Sequence, residues 1–294
     1  MSEPRIEKVT SEGRRLEVVV AGPEGGPTCV FHGGTPSAAL SFGPMLAAIV
    51  GAGMRYVTYS RPGYAGSEPR PGRSVADATD DVTVILDHLG VDRFVALGWS
   101  GGGPHALACA ALLPDRCVAA ATIAGVAPWE AAGLDWLAGQ GAENQAEWAA
   151  ALAGPVPLRE WLEPVAAQLA AVTGDAISES LGDLVTDVDR ASLTGGFSEW
   201  SAASFRAAVS TGVDGWRDDD LAFLAPWGFD VAAITRPVTI WQGDEDRMVP
   251  AAHGRWLADH VHGATARLLS GEGHLSIAIG SIDRIVAELA AAAG

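Results

Sequence analysis

A serine hydroxyl becomes a useful nucleophile only when a base removes its proton and preorganised donors await the charge developing on the substrate oxygen. The segment Gly98-Trp99-Ser100-Gly101-Gly102-Gly103 places a serine in a setting suited to that task. A sharp strand-to-helix turn crowds the main chain, so the positions two residues either side of the serine must lack a β-carbon. Such a turn lifts the Ser100 hydroxyl clear of a sheet and aims the Gly101 amide at a developing oxyanion. The pattern is short, and a glycine-rich chain can produce it by chance, so its surroundings must decide. His32-Gly33-Gly34-Thr35-Pro36 lies upstream and is the expected source of the second oxyanion amide, assigned to Gly34. His32 itself, at a strand end, reads as a residue that braces the loop.

The base and its orienting acid come much later in the chain. Gly271-Glu272-Gly273-His274-Leu275 presents a histidine in a loop, and His274 is the candidate general base. Gly243-Asp244-Glu245-Asp246-Arg247-Met248-Val249-Pro250 holds three acids. Asp244 and Glu245 read as a solvated turn. Asp246, by its offset from Gly243 and the strand before it, suits an acid reaching across to a histidine to hold its tautomer and stabilise its charged form. His88, His105, His253, His260 and His262 lack such settings and read as structural or exposed. Cys29, Cys109 and Cys117 are odd in number and widely spaced, matching neither a disulfide framework nor a paired metal motif. They read as small core residues.

The elements that must position these groups alternate between strand and helix. Residues 15–21, 28–32, 55–60, 94–97 and 117–123 read as strands. Helices are expected over 45–50, with Pro44 at the favoured first position, over 75–89, and from just past Ser100 to Leu113. From about Pro128 to Asp230 the rhythm changes to helices alone, around 143–153, 158–172 and 198–210. Strands return at 237–241 and 266–269, with a helix after Pro250 and a last one over 281–293. Strand–helix alternation of this kind argues for a layered α/β fold with a mostly parallel sheet.

With these pieces assembled, the sequence resembles the α/β-hydrolase superfamily over essentially its whole length. The matching segments are His32-Gly33-Gly34, Ser60-Arg61-Pro62-Gly63-Tyr64-Ala65-Gly66-Ser67, Gly98 to Gly103, Gly243 to Pro250 and Gly273-His274. The resemblance implies a core of residues 1–127 and 231–294 with an inserted helical cap over 128–230. It implies a Ser100–His274–Asp246 triad in the chain order of that fold, with the amides of Gly34 and Gly101 holding the oxyanion. It also implies that the Arg-Pro-Gly-Tyr segment braces the site and does not react. The serine departs from the aspartate nucleophile of related dehalogenases and epoxide hydrolases and argues against those activities.

Composition narrows the classes. The 294 residues are 48% apolar, ample for a core, and the net charge of −17 argues against nucleic acid and against anionic membrane surfaces as partners. No apolar run approaches a membrane span and no signal peptide is evident, so a cytoplasmic protein acting on a small molecule is expected. No phosphate-binding loop or spaced His/Cys cluster signals a cofactor or metal, and the chemistry needs none. The helical block is rich in Trp and Phe, which read mostly as packing and favour a small hydrophobic ester or lactone in any pocket beneath. Three alternatives stay open: an aminopeptidase of the proline-iminopeptidase kind, a small-molecule receptor that keeps the triad, and non-hydrolytic chemistry on the same fold. The first would need acids such as Glu143, Glu147, Glu160, Glu163 or Glu199, which ordinarily form the solvated face of a helix. Oligomeric state is not legible.

Overall fold

The computed structural model describes residues 3–294. One eight-stranded sheet runs through the molecule in the order β1-β2-β4-β3-β5-β6-β7-β8. The strands are β1 (Arg5–Ser11), β2 (Arg14–Ala21), β3 (Thr28–His32), β4 (Arg55–Tyr59), β5 (Phe94–Trp99), β6 (Cys117–Ile123), β7 (Val238–Gly243) and β8 (Thr265–Leu269). β2 is antiparallel to both β1 and β4, and the remaining pairs are parallel. Every residue of β3, β4 and β5 is buried. Strands covered on both faces tend to read as continuous apolar runs, as β5 does, whereas β4 buries Arg55 and Thr58 among its aromatic and β-branched residues. β1 was not expected. It is a largely exposed edge strand without an apolar face, and its pairing with β2 defines it more than its own residues do.

The helices are α1 (Pro44–Gly51), α2 (Ala78–His88), α3 (Gly103–Leu112), α4 (Ala142–Ala153), α5 (Pro155–Leu169), α6 (Ile177–Ser180), α7 (Asp187–Ser192), α8 (Gly195–Ala208), α9 (Asp214–Leu224), α10 (Ala251–His260) and α11 (Ser276–Ala293). Two apolar cores lie on opposite faces of the sheet. One packs α2, α3 and α10 through residues such as Val82, Leu107 and Leu257. The other packs α1 and α11 through Met45, Ile49, Ile282 and Ile285. Helices α4 to α9 form one insert between β6 and β7, and no strand interrupts them. The helices over 143–153, 158–172 and 198–210 correspond to α4, α5 and α8, each beginning one to three residues earlier than expected. α6, α7 and α9 went unrecognised. Two are only 4 and 6 residues long, and α9 carries a run of three aspartates, Asp218 to Asp220, that breaks its apolar pattern.

Parallel pairing sets the positions of the loops that matter. His32 is paired with Gly98, so the chain leaves β3 and β5 side by side at the same edge. β7 and β8 pair up to Gly243 and Leu269, which releases the Asp246 and His274 loops at that edge too. Loops at the carboxyl ends of parallel strands are where such sheets build sites. Among the described residues no helix is long and apolar enough to cross a membrane.

Candidate active site

Ser100 opens a one-turn 3-10 segment between β5 and α3 and has a φ of 55°. A β-branched-free side chain tolerates this left-handed geometry only at a cost, and such strain concentrates at functional positions. The flanking glycines are obligatory for a simple reason. A β-carbon at Gly98 would stand 2.2 Å from the Gly102 carbonyl oxygen, and one at Gly102 would stand 2.0 Å from that of His32. Gly34 lies against the serine, since a β-carbon there would be 3.3 Å from Ser100 Cβ and 3.7 Å from its Oγ. His105 Nδ1 donates to the Gly101 carbonyl at 2.9 Å. Burial, helped by the charge of Arg61, holds that imidazole well below its ordinary value and therefore neutral. His32 is also buried and pushed down to about 3, so it cannot serve as a cation and acts as structure.

The loops after β7 and β8 bring Asp246 and His274 together. His274 Nδ1 donates to Asp246 Oδ2 at 2.8 Å, with both residues buried. The same oxygen accepts from Gln242 Nε2 at 3.1 Å, and Oδ1 accepts the amides of Met248 and Val249 at 2.8 Å each. Four bonds leave the carboxylate a single orientation. Burial acts to lower the His274 pKa, but the charge and hydrogen bond of Asp246, with a contribution from Asp189, outweigh it and raise the imidazole above its usual value. Trp99 Nε1 donates to the His274 carbonyl at 3.3 Å, and the two rings stack. Asp244 and Glu245 are exposed, as the solvated-turn reading expects. His253 is a fully buried tie: its Nδ1 accepts the Ala127 amide and its Nε2 donates to the Trp136 carbonyl.

The segment after β4 braces the loop that carries Gly34. Arg61 Nη1 donates to the Gly33 carbonyl and Nη2 to that of Gly34, both at 2.7 Å. Its guanidinium is itself held by Asp219 of α9, whose Oδ2 lies 2.6 Å from Arg61 Nη2. Asp219 is entirely buried and also takes Arg73 Nη1 at 2.7 Å, Tyr64 Oη at 2.8 Å and Thr35 Oγ1 at 2.9 Å. Burial alone would raise this carboxyl, yet Arg61 and Arg73 hold it far below the usual carboxylate range.

A cavity of about 200 Å³ lies between the sheet edge and the insert. Ser100, Gly34, Gly101 and His274 line its floor, while Trp136, Trp148, Trp161, Trp200, Trp216 and Phe223 line its walls. These aromatics were expected chiefly as packing. They pack, and they also form the wall of the pocket. Glu147 corrects a second expectation, because it is buried in that wall and not on a solvated face. It accepts Trp216 Nε1 at 2.6 Å and is hydrogen-bonded to Asp220. Burial raises both carboxyls, and the negative charge of Glu147 keeps the Asp220 proton in place. Glu143 also reaches the cavity, whereas Glu160, Glu163 and Glu199 are exposed.

A sequence profile described as the alpha/beta hydrolase fold matches residues 27–280. The chain belongs to the alpha/beta hydrolase family. Among its relatives is the uncharacterized hydrolase YcgS of Bacillus subtilis, 28% identical over 273 residues and matched across 92% of each chain. Epoxide hydrolase B of Mycobacterium tuberculosis is 29% identical over 210 residues, covering 69% of this chain and 56% of the relative. The crystal structure of an enol-lactonase from Burkholderia xenovorans superposes with a TM-score of 0.67 at 21% identity, covering 97% of this chain and 99% of the other, and shares its fold.

In this hydrolase Ser100, Gly34, Gly101 and His274 all line the one cavity, and Asp246 is hydrogen-bonded to His274. Sequence reasoning missed Asp189, Asp219, Asp220 and the burial of Glu147. Asp219 sits in a run of three acids, and only its two distant arginines distinguish it. Replacing Asp219 with Ala leaves Arg61 and Arg73 buried without their counter-charge, a change that costs about 3–5 kcal/mol. Chemical denaturation of Asp219→Ala should therefore show a large loss of stability, and an unchanged midpoint would mean that the cluster is not coupled to the fold.

Proposed function

We propose that this hydrolase cleaves a small apolar carboxylic ester or lactone through an acyl-enzyme on Ser100. The observation that carries the reading is the 2.8 Å bond from His274 Nδ1 to Asp246, beside a cavity floor that His274 shares with Ser100. With Nδ1–H committed to Asp246, Nε2 is the basic nitrogen left to receive the serine proton. Ser100 Oγ attacks the carbonyl carbon, and the amides of Gly34 and Gly101 take the oxyanion. His274 then returns the proton to the leaving alkoxide. Water, deprotonated by His274 in turn, attacks the acyl-enzyme and releases the acid. The serine argues against epoxide opening as well. Attack on an epoxide would leave an ether on Ser100, and an ether has no carbonyl for water to attack.

Short-chain aryl esters should be hydrolysed, and Ser100→Ala should lower kcat by roughly 10⁴-fold or more. A fluorophosphonate should label Ser100, located by peptide mass spectrometry. Ester turnover that survives Ser100→Ala, or a label on a different residue, overturns the reading. The base works only when neutral, and His274 is raised above the ordinary imidazole value. Rate should therefore fall as pH drops through that raised value. Asp246→Asn should move this acid limb to lower pH while cutting kcat by roughly 10⁴-fold.

One observation favours a second reading, an aminopeptidase that holds a free amino terminus. The Glu147–Asp220 pair stands in the cavity wall. Burial, with the charge of Glu143, pushes Glu147 up to about 7 against the lowering bonds from Asp220 and Trp216. As pH rises through that value the pair gains the negative charge that would hold an ammonium group. The measurement is kcat/KM for a proline arylamide relative to an acetyl aryl ester. On this reading the ratio rises from pH 6 to 8 and falls about tenfold or more in Glu147→Gln, as loss of a charged hydrogen bond does. A ratio indifferent to both would remove it.

A further inference from the structure

The loop that presents His274 is held by a residue of the insert. Asp189, in α7, is fully buried and turns its carboxylate onto three consecutive amides of that loop. Its Oδ2 accepts the His274 amide at 3.1 Å, and its Oδ1 accepts those of Leu275 at 2.8 Å and Ser276 at 2.9 Å. Among the described residues Asp189 has no ion-pair partner. What stabilises an anion there is the N-terminus of the 18-residue α11, where unpaired amides and the helix dipole favour negative charge. Both oxygens act as acceptors, as an ionised carboxylate does. Gly273 now has a reason of its own, for a β-carbon at that position would lie 2.4 Å from Asp189 Oδ1. The neighbouring Arg190 donates to the carbonyls of Ser178 and Gly182, fastening α7 to the α6 segment of the insert.

We propose that Asp189 is a positioning residue for the histidine base: by gripping the backbone of residues 274–276 it fixes how the imidazole, bonded to Asp246, is presented to the cavity that Ser100 also lines, so the triad is complete only while the insert is docked. The inference rests on the serine-triad reading. It goes beyond that reading because the grip comes from outside the sheet and touches neither substrate nor reacting atom. The ionisable groups facing His274 are Asp246, bonded to its ring, and Asp189, bonded to its amide. Trp99 covers one ring face, and Glu272 of the same loop is engaged by the Ser276 hydroxyl at 2.5 Å.

The test compares full-length wild type, Asp189→Asn and Gly273→Ala. The asparagine keeps the shape, but removes the charge and one of the two acceptor oxygens. Gly273→Ala leaves the aspartate and pushes it off the loop. For Asp189→Asn, kcat should fall roughly 10- to 100-fold, the loss that follows from small misplacement of a reacting group. KM should stay within about twofold, because Asp189 lies outside the cavity lining. The acid limb of kcat/KM should move to lower pH, and an NMR titration of the His274 ring should move with it. Gly273→Ala should reproduce the fall in kcat, which keeps the test decisive if Asp189→Asn does not fold. A purely structural role predicts fewer fluorophosphonate-reactive molecules, each with wild-type kcat and an unmoved limb, and that result overturns the proposal. Ester turnover surviving Ser100→Ala would defeat the triad reading alone. The His274 titration would still report whether Asp189 governs that ring.

Discussion

The whole site depends on the contact between Asp219 and Arg61. A charge removed from water must be compensated by a counter-charge or by hydrogen bonds, and Asp219 and Arg61 compensate each other, with Arg73, Tyr64 and Thr35 added around them. Arg61 then has two N–H groups to spare, and they go to the carbonyls of Gly33 and Gly34. The glycine loop beside Ser100 is thus oriented from beneath by a guanidinium whose own position is fixed by a helix of the insert. Preorganisation of this kind costs nothing at the moment of reaction, because the reorganisation was completed on folding.

Asp189 plays the corresponding part on the other side. One buried aspartate sets the loop next to the serine and the other sets the loop next to the histidine, and both come from helices α4 to α9. The sheet supplies the serine turn, Asp246 and the histidine loop through strands paired in register. The insert supplies the hydrogen bonds that hold the Gly34 and His274 loops. That division explains why a cavity floor made entirely of sheet-edge loops is braced by residues distant in sequence.

Much of this was legible beforehand. The buried parallel strands announced themselves as runs rich in apolar and β-branched residues, and the glycines around Ser100 followed from steric need. Asp246 was singled out by its offset from Gly243 and His274 by its place after the acid in chain order, and the two are hydrogen-bonded to each other. What escaped was set by tertiary contact. β1 is a strand through its partner, not through its own pattern. α11 begins at Ser276, five residues before the expected start, because the group that caps its first amides is Asp189, 87 positions away in the chain. Asp218 to Asp220 and Glu147 look like surface acids until the arginines and the neighbouring carboxyl that accompany them are placed.

The insert's two aspartates bear on how such a protein can be altered. A stretch of helices inserted between two neighbouring strands looks like an interchangeable module, free to be traded for another that shapes a different pocket. Here the exchange would remove both braces together with the pocket wall. A transplanted segment would need an acid opposite Arg61 and another over the amides of residues 274–276 before its own specificity could be expressed. Specificity and competence are therefore inherited as one piece.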